Sequence, residues 1–136
     1  MGTEIYVDQM FNYTSAVTAE TQMNAGTTSS QGTYSPQANG TLVKIGIIVT
    51  PQAATSLCQQ FYIKLTCTAW TPVNTLIIPA AGFGLATAPQ AIGGNELLDE
   101  HIVNLPVNTA LPIKGYVQEF WSAITPNVIV RGTFTA

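Results

Sequence analysis

The chain has 136 residues, 46% of them hydrophobic, with four Lys and Arg against seven Asp and Glu and a net charge of −3. That length suits a single domain with one core, and the apolar content excludes an intrinsically disordered chain. Charged residues make up only 8%, where about 25% is usual, so the polar surface must be built from Thr, Ser, Asn and Gln.

Residues 4–10, EIYVDQM, have the pattern of a strand with Ile5 and Val7 on one face. Residues 11–23 are ambiguous: Thr and Val favour extended chain, while AVTAETQM suits a helical turn. Residues 24–40, NAGTTSSQGTYSPQANG, form a long loop, closed by an Asn39-Gly40 turn signal. Residues 1–40 therefore make a loop-rich segment of the one domain, 1–136.

The stretch Thr41 to Trp70 reads as two strands joined through Pro51. Side chains in a strand alternate between faces. Val43, Ile45, Ile47 and Val49 then share one face, opposite Leu42, Lys44, Gly46, Ile48 and Thr50. In the second strand Phe61, Ile63, Leu65, Cys67 and Ala69 share a face, opposite Tyr62, Lys64, Thr66, Thr68 and Trp70. β-branched and aromatic residues dominate both, as a pleated and half-buried surface requires. The second face of the first strand also carries Leu42 and Ile48, which suits a central strand or one covered by another copy.

Beyond Trp70, TLIIP (75–79) is a short strand closed by Pro79, and residues 80–95 are a Gly-rich loop. GNELLDEH predicts one short helix near 95–101, capped by Asn95 with Glu96 in its first turn. HIVNLPV (101–107) is a strand stopped by Pro106. In LPIKGYVQEFWSA (111–123), Ile113, Val117 and Trp121 share one face, Tyr116 and Phe120 the other. Thr125-Pro126 turns the chain into a last strand, 127–136, with Val128, Val130 and Phe134 together. Seven or eight strands with prolines at segment ends predict an all-β, single-domain antiparallel β-sandwich of jelly-roll type. No period of 20–50 residues suggests a propeller or solenoid.

Residues able to do chemistry are few. The one histidine, His101, lacks a triad signature around it. Glu96, Asp99, Glu100 and His101 cluster in sequence but supply too few converging ligands for a metal site. GFG (82–84) and GG (93–94) fit no phosphate-loop pattern. Cys58 and Cys67 sit at opposite ends of an extended segment, too far apart for a disulfide. No enzyme, no cofactor and no metal site is expected. The four cations, Lys44, Lys64, Lys114 and Arg131, are scattered, and phosphate neutralisation needs them clustered, so no direct nucleic-acid partner is expected. No apolar run reaches the roughly 18 residues of a membrane span, and MGTEIYVDQMF lacks the basic and apolar regions of a leader. Asn12-Tyr13-Thr14 and Asn39-Gly40-Thr41 match the glycosylation pattern.

The candidate functional residues are aromatic. Tyr62 and Trp70 fall on the polar face of one strand, and Tyr116 and Phe120 share a face of another. Tyr and Trp on such faces either meet another subunit or stack on a sugar.

The segment TLVKIGIIV, then QFYIKLTCTAW, then the pair LPIKGYVQEFWSA and NVIVRGTFTA behind a Thr/Ser/Asn/Gln-rich N-terminal segment, resembles viral single jelly-roll coat proteins over residues 41–136. The resemblance implies a virion structural protein, capsid or capsid-associated, assembled in the host cytoplasm as a homo-oligomer, with other virion proteins as further partners. It departs from small RNA-virus coats in lacking a basic arm. A carbohydrate-binding module, and a secreted pilus or adhesin subunit, are the alternatives.

Overall fold

The computed structural model describes residues 5–13, 19–50, 57–84, 97–120 and 127–136. The expected connection around Pro51, residues 85–95 of the expected Gly-rich loop, Trp121 and the expected Thr125-Pro126 turn lie outside them, while residues 80–84 of that loop are strand instead. Among the described residues ten strands form: β1 (Ile5–Tyr13), β2 (Thr21–Gln22), β3 (Asn24–Ala25), β4 (Thr33–Tyr34), β5 (Gly40–Thr50), β6 (Leu57–Thr66), β7 (Thr75–Gly84), β8 (Leu97–Val107), β9 (Ile113–Phe120) and β10 (Asn127–Thr135). They make two antiparallel sheets. Sheet A runs β3-β1-β10-β5-β8 and sheet B runs β2-β9-β6-β7, with β4 also on β9.

Alternation sends one face of each sheet into a shared core. Ile45 and Ile47 of β5, Ile63 and Leu65 of β6, Val117 of β9 and Val130 of β10 are all essentially fully buried there, so the expected face holds in both central strands. One residue pair departs. The expected phase puts Val43 inside and Leu42 outside, yet Leu42 is buried and Val43 half-buried. The cause is a β-bulge. The ladders of β5 with both β10 and β8 skip from Leu42 to Lys44, so Val43 is an extra residue and the face changes across it. A second bulge in β1, between Gln9 and Phe11, lets both Met10 and Phe11 reach the core.

The expected helix near 95–101 is absent. Asn95 and Glu96 lie outside the described residues, but Leu97 to His101 open β8, paired with β5 from Val49↔Leu97 to Ile45↔His101. The local capping signal loses to a long ladder with a central strand. Pro79 also falls inside a strand, not at its end, and Pro106 is the last residue but one of another. Pro79 is within β7 and Pro106 within β8, and each of those strands is the outer member of its sheet, where a missing N–H is tolerated.

β4 is fastened to sheet A by side chains. Tyr34 donates its hydroxyl to Asp8 Oδ2 at 2.5 Å, Gln37 Nε2 donates to the same oxygen at 2.7 Å, and the Tyr34 ring stacks on Phe134. Burial, then the hydrogen bond to Asp8, push the Tyr34 pKa up from its ordinary value. No helix among the described residues is long and apolar enough to cross a membrane.

Candidate functional site

The ladder between β6 and β9 sets Tyr62 opposite Gln118 and Lys64 opposite Tyr116. Period-2 alternation turns these four outward on sheet B, because Ile63, Leu65 and Val117 face the core. β2 adds a fifth member. Its pairing of Thr21 with Val117 and Gln22 with Tyr116 carries the preceding residue, Glu20, to the same face. Lys64 Nζ lies 2.7 Å from Glu20 Oε1, and the Tyr62 hydroxyl donates to Glu20 Oε2 at 2.6 Å. The same hydroxyl lies 2.8 Å from Gln118 Oε1. The Lys64 ammonium also sits 4.8 Å from the centroid of the Tyr116 ring, within cation–π range.

This network sets the protonation of its members. The hydrogen bond from Lys64, then the one from Tyr62, hold the Glu20 carboxyl below its ordinary value. The hydrogen bond to Glu20, then burial, push the Tyr62 hydroxyl up to about 12. Both shifts run away from neutrality, whereas a general acid or base works best with a pKa near the operating pH. The arrangement suits a fixed polar clamp between β2, β6 and β9.

A carboxyl with a lower pKa folded than unfolded binds fewer protons when folded. It stabilises the fold above its unfolded value and loses that contribution as pH falls through the folded value. Unfolding midpoints of the parent and Glu20→Gln are therefore expected to differ at pH 7 and to converge on acidification below the ordinary carboxyl value of 4.5. Parallel profiles down to the acid limit would count against the clamp.

The four aromatic candidates separate. Tyr62 and Tyr116 stand together on the clamp. Phe120 pairs with Gln60 in the same ladder. Trp70 is elsewhere and corrects its expectation. β6 ends at Thr66, and the next residues turn, with Trp70 N donating to Cys67 O at 3.1 Å. Alternation stops with the strand, so Trp70 swings inward to 2% exposure and donates Nε1 to Pro106 O at 2.9 Å. It has no exposed ring face for a sugar. The Tyr116 face is likewise occupied by Lys64, which a stacking ligand would have to displace.

Cys67 is a free, buried thiol facing Leu111 O at 3.5 Å. Among the described residues no three His, Cys, Asp or Glu converge on a metal position; Glu96, of the acidic cluster, lies outside them, and Glu100 pairs with Lys44 at 3.2 Å. Of the two glycosylation-type asparagines, Asn12 gives its amide to Gly26 O and Thr28 O, and Asn39 Oδ1 accepts from Thr109 N.

A second surface is less visible in sequence. The outer face of sheet A has a hollow of about 260 Å³ above Gly46, walled by Val7, Lys44, Glu100, Arg131 and Thr133. These residues come from four strands, and Gly46, which has no side chain, is part of the floor. Around it Ile5 is 68% exposed, Val7 57% and Ile102 76%.

No family model matches the chain, and no curated protein does. Among solved structures, the crystal structure of dimeric latent PorU from Porphyromonas gingivalis is similar to it at a TM-score of 0.44 and 8% identity. The similarity covers 98% of this chain and 12% of that one, so this chain spans about 12% of the length of that protein.

Proposed function

We propose that this chain is a jelly-roll structural subunit that builds a shell from many copies, as virion coat proteins do. The observation that carries the reading is the set of long-range ladders. β1 pairs with β10, β2 with β9, β5 with β8, and β6 with β7. With β3 and β4 as short additions, these are the pairs 1·8, 2·7, 3·6 and 4·5 of one antiparallel ribbon. Rolling such a ribbon puts alternate pairs in opposite sheets and yields the orders 1-8-3-6 and 2-7-4-5, matching sheets A and B. Those orders support the jelly-roll reading, an arrangement of eight strands found in viral capsid and lectin domains.

The step from fold to virion is an analogy of architecture, and surface chemistry directs it. Eight per cent charge lowers the cost of burying large faces against other copies. The isolated cations favour a shell contacting protein over one gripping nucleic acid directly. The lectin reading is weakened at two of its candidate rings, since Trp70 is buried and Lys64 lies over Tyr116.

Size-exclusion chromatography with light scattering tests the proposal. The purified chain is expected to associate beyond a monomer as its concentration rises. A strict monomer at the highest attainable concentration would overturn self-assembly.

A further inference from the structure

Sheet A has an outer face whose pattern is its own complement. The ladders give four rows across β1, β10, β5 and β8. One is Val7–Thr133–Lys44–Ile102. The next is Gln9–Arg131–Gly46–Glu100, followed by Asn12–Ile129–Ile48. At the other end lies Ile5–Thr135–Thr41–Pro106. A two-fold axis along the strands, between β10 and β5, reverses each row onto a second copy, β1 over β8 and β10 over β5. Val7 then meets Ile102, Ile5 meets Pro106, and Ile129 meets Ile48. Arg131 enters the hollow above Gly46, beside Glu100.

Charge completes the fit. Arg131 is exposed and has no ion pair among the described residues. Glu100 gives only Oε2 to Lys44, leaving Oε1 for a second cation. Both groups occur twice in a two-fold pair, so one contact forms two cross-copy ion pairs. Most of the strands at the sheet edges are short or carry proline. β2, β3 and β4 are two residues each, while the long edges β7 and β8 carry Pro79 and Pro106, which blunt strand-to-strand pairing. Faces of antiparallel sheets, by contrast, pack well in near alignment.

We infer that the outer face of sheet A docks on the same face of a second copy, with Arg131 of each seated in the hollow beside Glu100 of the other. The inference rests on the self-assembly reading and specifies one of its contacts.

Charge reversal tests it. Arg131→Glu puts a second acid beside Glu100 at each junction, and Glu100→Arg puts a third base beside Arg131 and Lys44. Sedimentation velocity is expected to show each variant alone weakened in association about tenfold or more. An equimolar mixture of the two should associate again, because every junction then pairs Glu with Arg. Lys114→Glu, on exposed β9 of the other sheet, is expected to change nothing. Val7→Asp is expected to weaken association and, at a concentration where the parent is monomeric, to leave the thermal midpoint unchanged, since its side chain is already in solvent. Parent-like association of both reversal variants, a mixture that stays dissociated, or an equal effect of Lys114→Glu would overturn this face while leaving self-assembly standing. A strictly monomeric parent would remove both.

Discussion

Phe134→Ala is expected to destabilise the fold by about 3–5 kcal/mol, the range for removing a fully buried phenylalanine. The ring is 0% exposed and is the middle of an aromatic stack. It lies 4.9 Å from the Tyr6 ring at 12° and 5.6 Å from the Tyr34 ring at 26°. Each such pair contributes about 0.5–1.5 kcal/mol beyond area burial. Through them Phe134 joins β10 and β1 of sheet A to β4, which belongs to sheet B. The ring also fills the space above Gly132, where an added Cβ would stand 2.7 Å from Phe134 Cε1. The backbone on that side cannot collapse far into the vacancy, so the cavity term stays large. Phe134→Leu keeps much of the volume and loses the stacking, and is expected to cost less than the alanine. Urea midpoints measure both. An alanine variant within about 1 kcal/mol of the parent, well below the usual cost, would show that the stack does not hold the sheets together.

Gly40→Ala is the second large effect, expected at about 3 kcal/mol or more, the upper end for overpacking. Gly40 opens β5 opposite Val107. A Cβ there would run into the carbonyl oxygen of Thr135 and stand 2.9 Å from Ala136 Cα. Those atoms are backbone, so no side-chain rotation relieves the overlap; the end of β10 must move and give up its pairing with Thr41. Gly32→Ala makes the contrast, because its nearest neighbour is the Ala25 methyl at 3.1 Å, and it is expected to be mild. Thermal unfolding of the pair checks the order. Equal midpoints would mean that the close approach at Gly40 carries no cost.

The alternation of β6, β9 and β10 was legible in sequence because those strands keep period 2 over their buried lengths. Tyr62 and Tyr116 could therefore be assigned to outward faces before their pairing was known. β5 was legible only beyond Lys44, since one inserted residue, Val43, reverses the phase and leaves no mark in composition. Trp70 was misplaced because nothing before Pro72 announces that β6 stops at Thr66. The 95–101 segment carried a sound local helix signal that a distant strand overrode. Glu20 was invisible as a site residue, since a two-residue strand delivers it to Lys64 across 44 positions. Arg131 was noticed as a scattered cation and Glu100 as part of an acidic cluster, and only the register sets them on either side of Gly46.

The place of β10 between β1 and β5 has a consequence for the order of events in folding. β6, β7 and β9 follow one another closely enough to assemble most of sheet B early. β1 has no long partner until β10 has been made, although it is the first strand of the chain. Its Met10 and Phe11, and the inner isoleucines of β5, must wait through all the intervening synthesis. Distant pairings of this kind are slow and leave apolar surface open meanwhile. Sheet A therefore closes in one late step, when β10 slides between two strands that have been waiting for it.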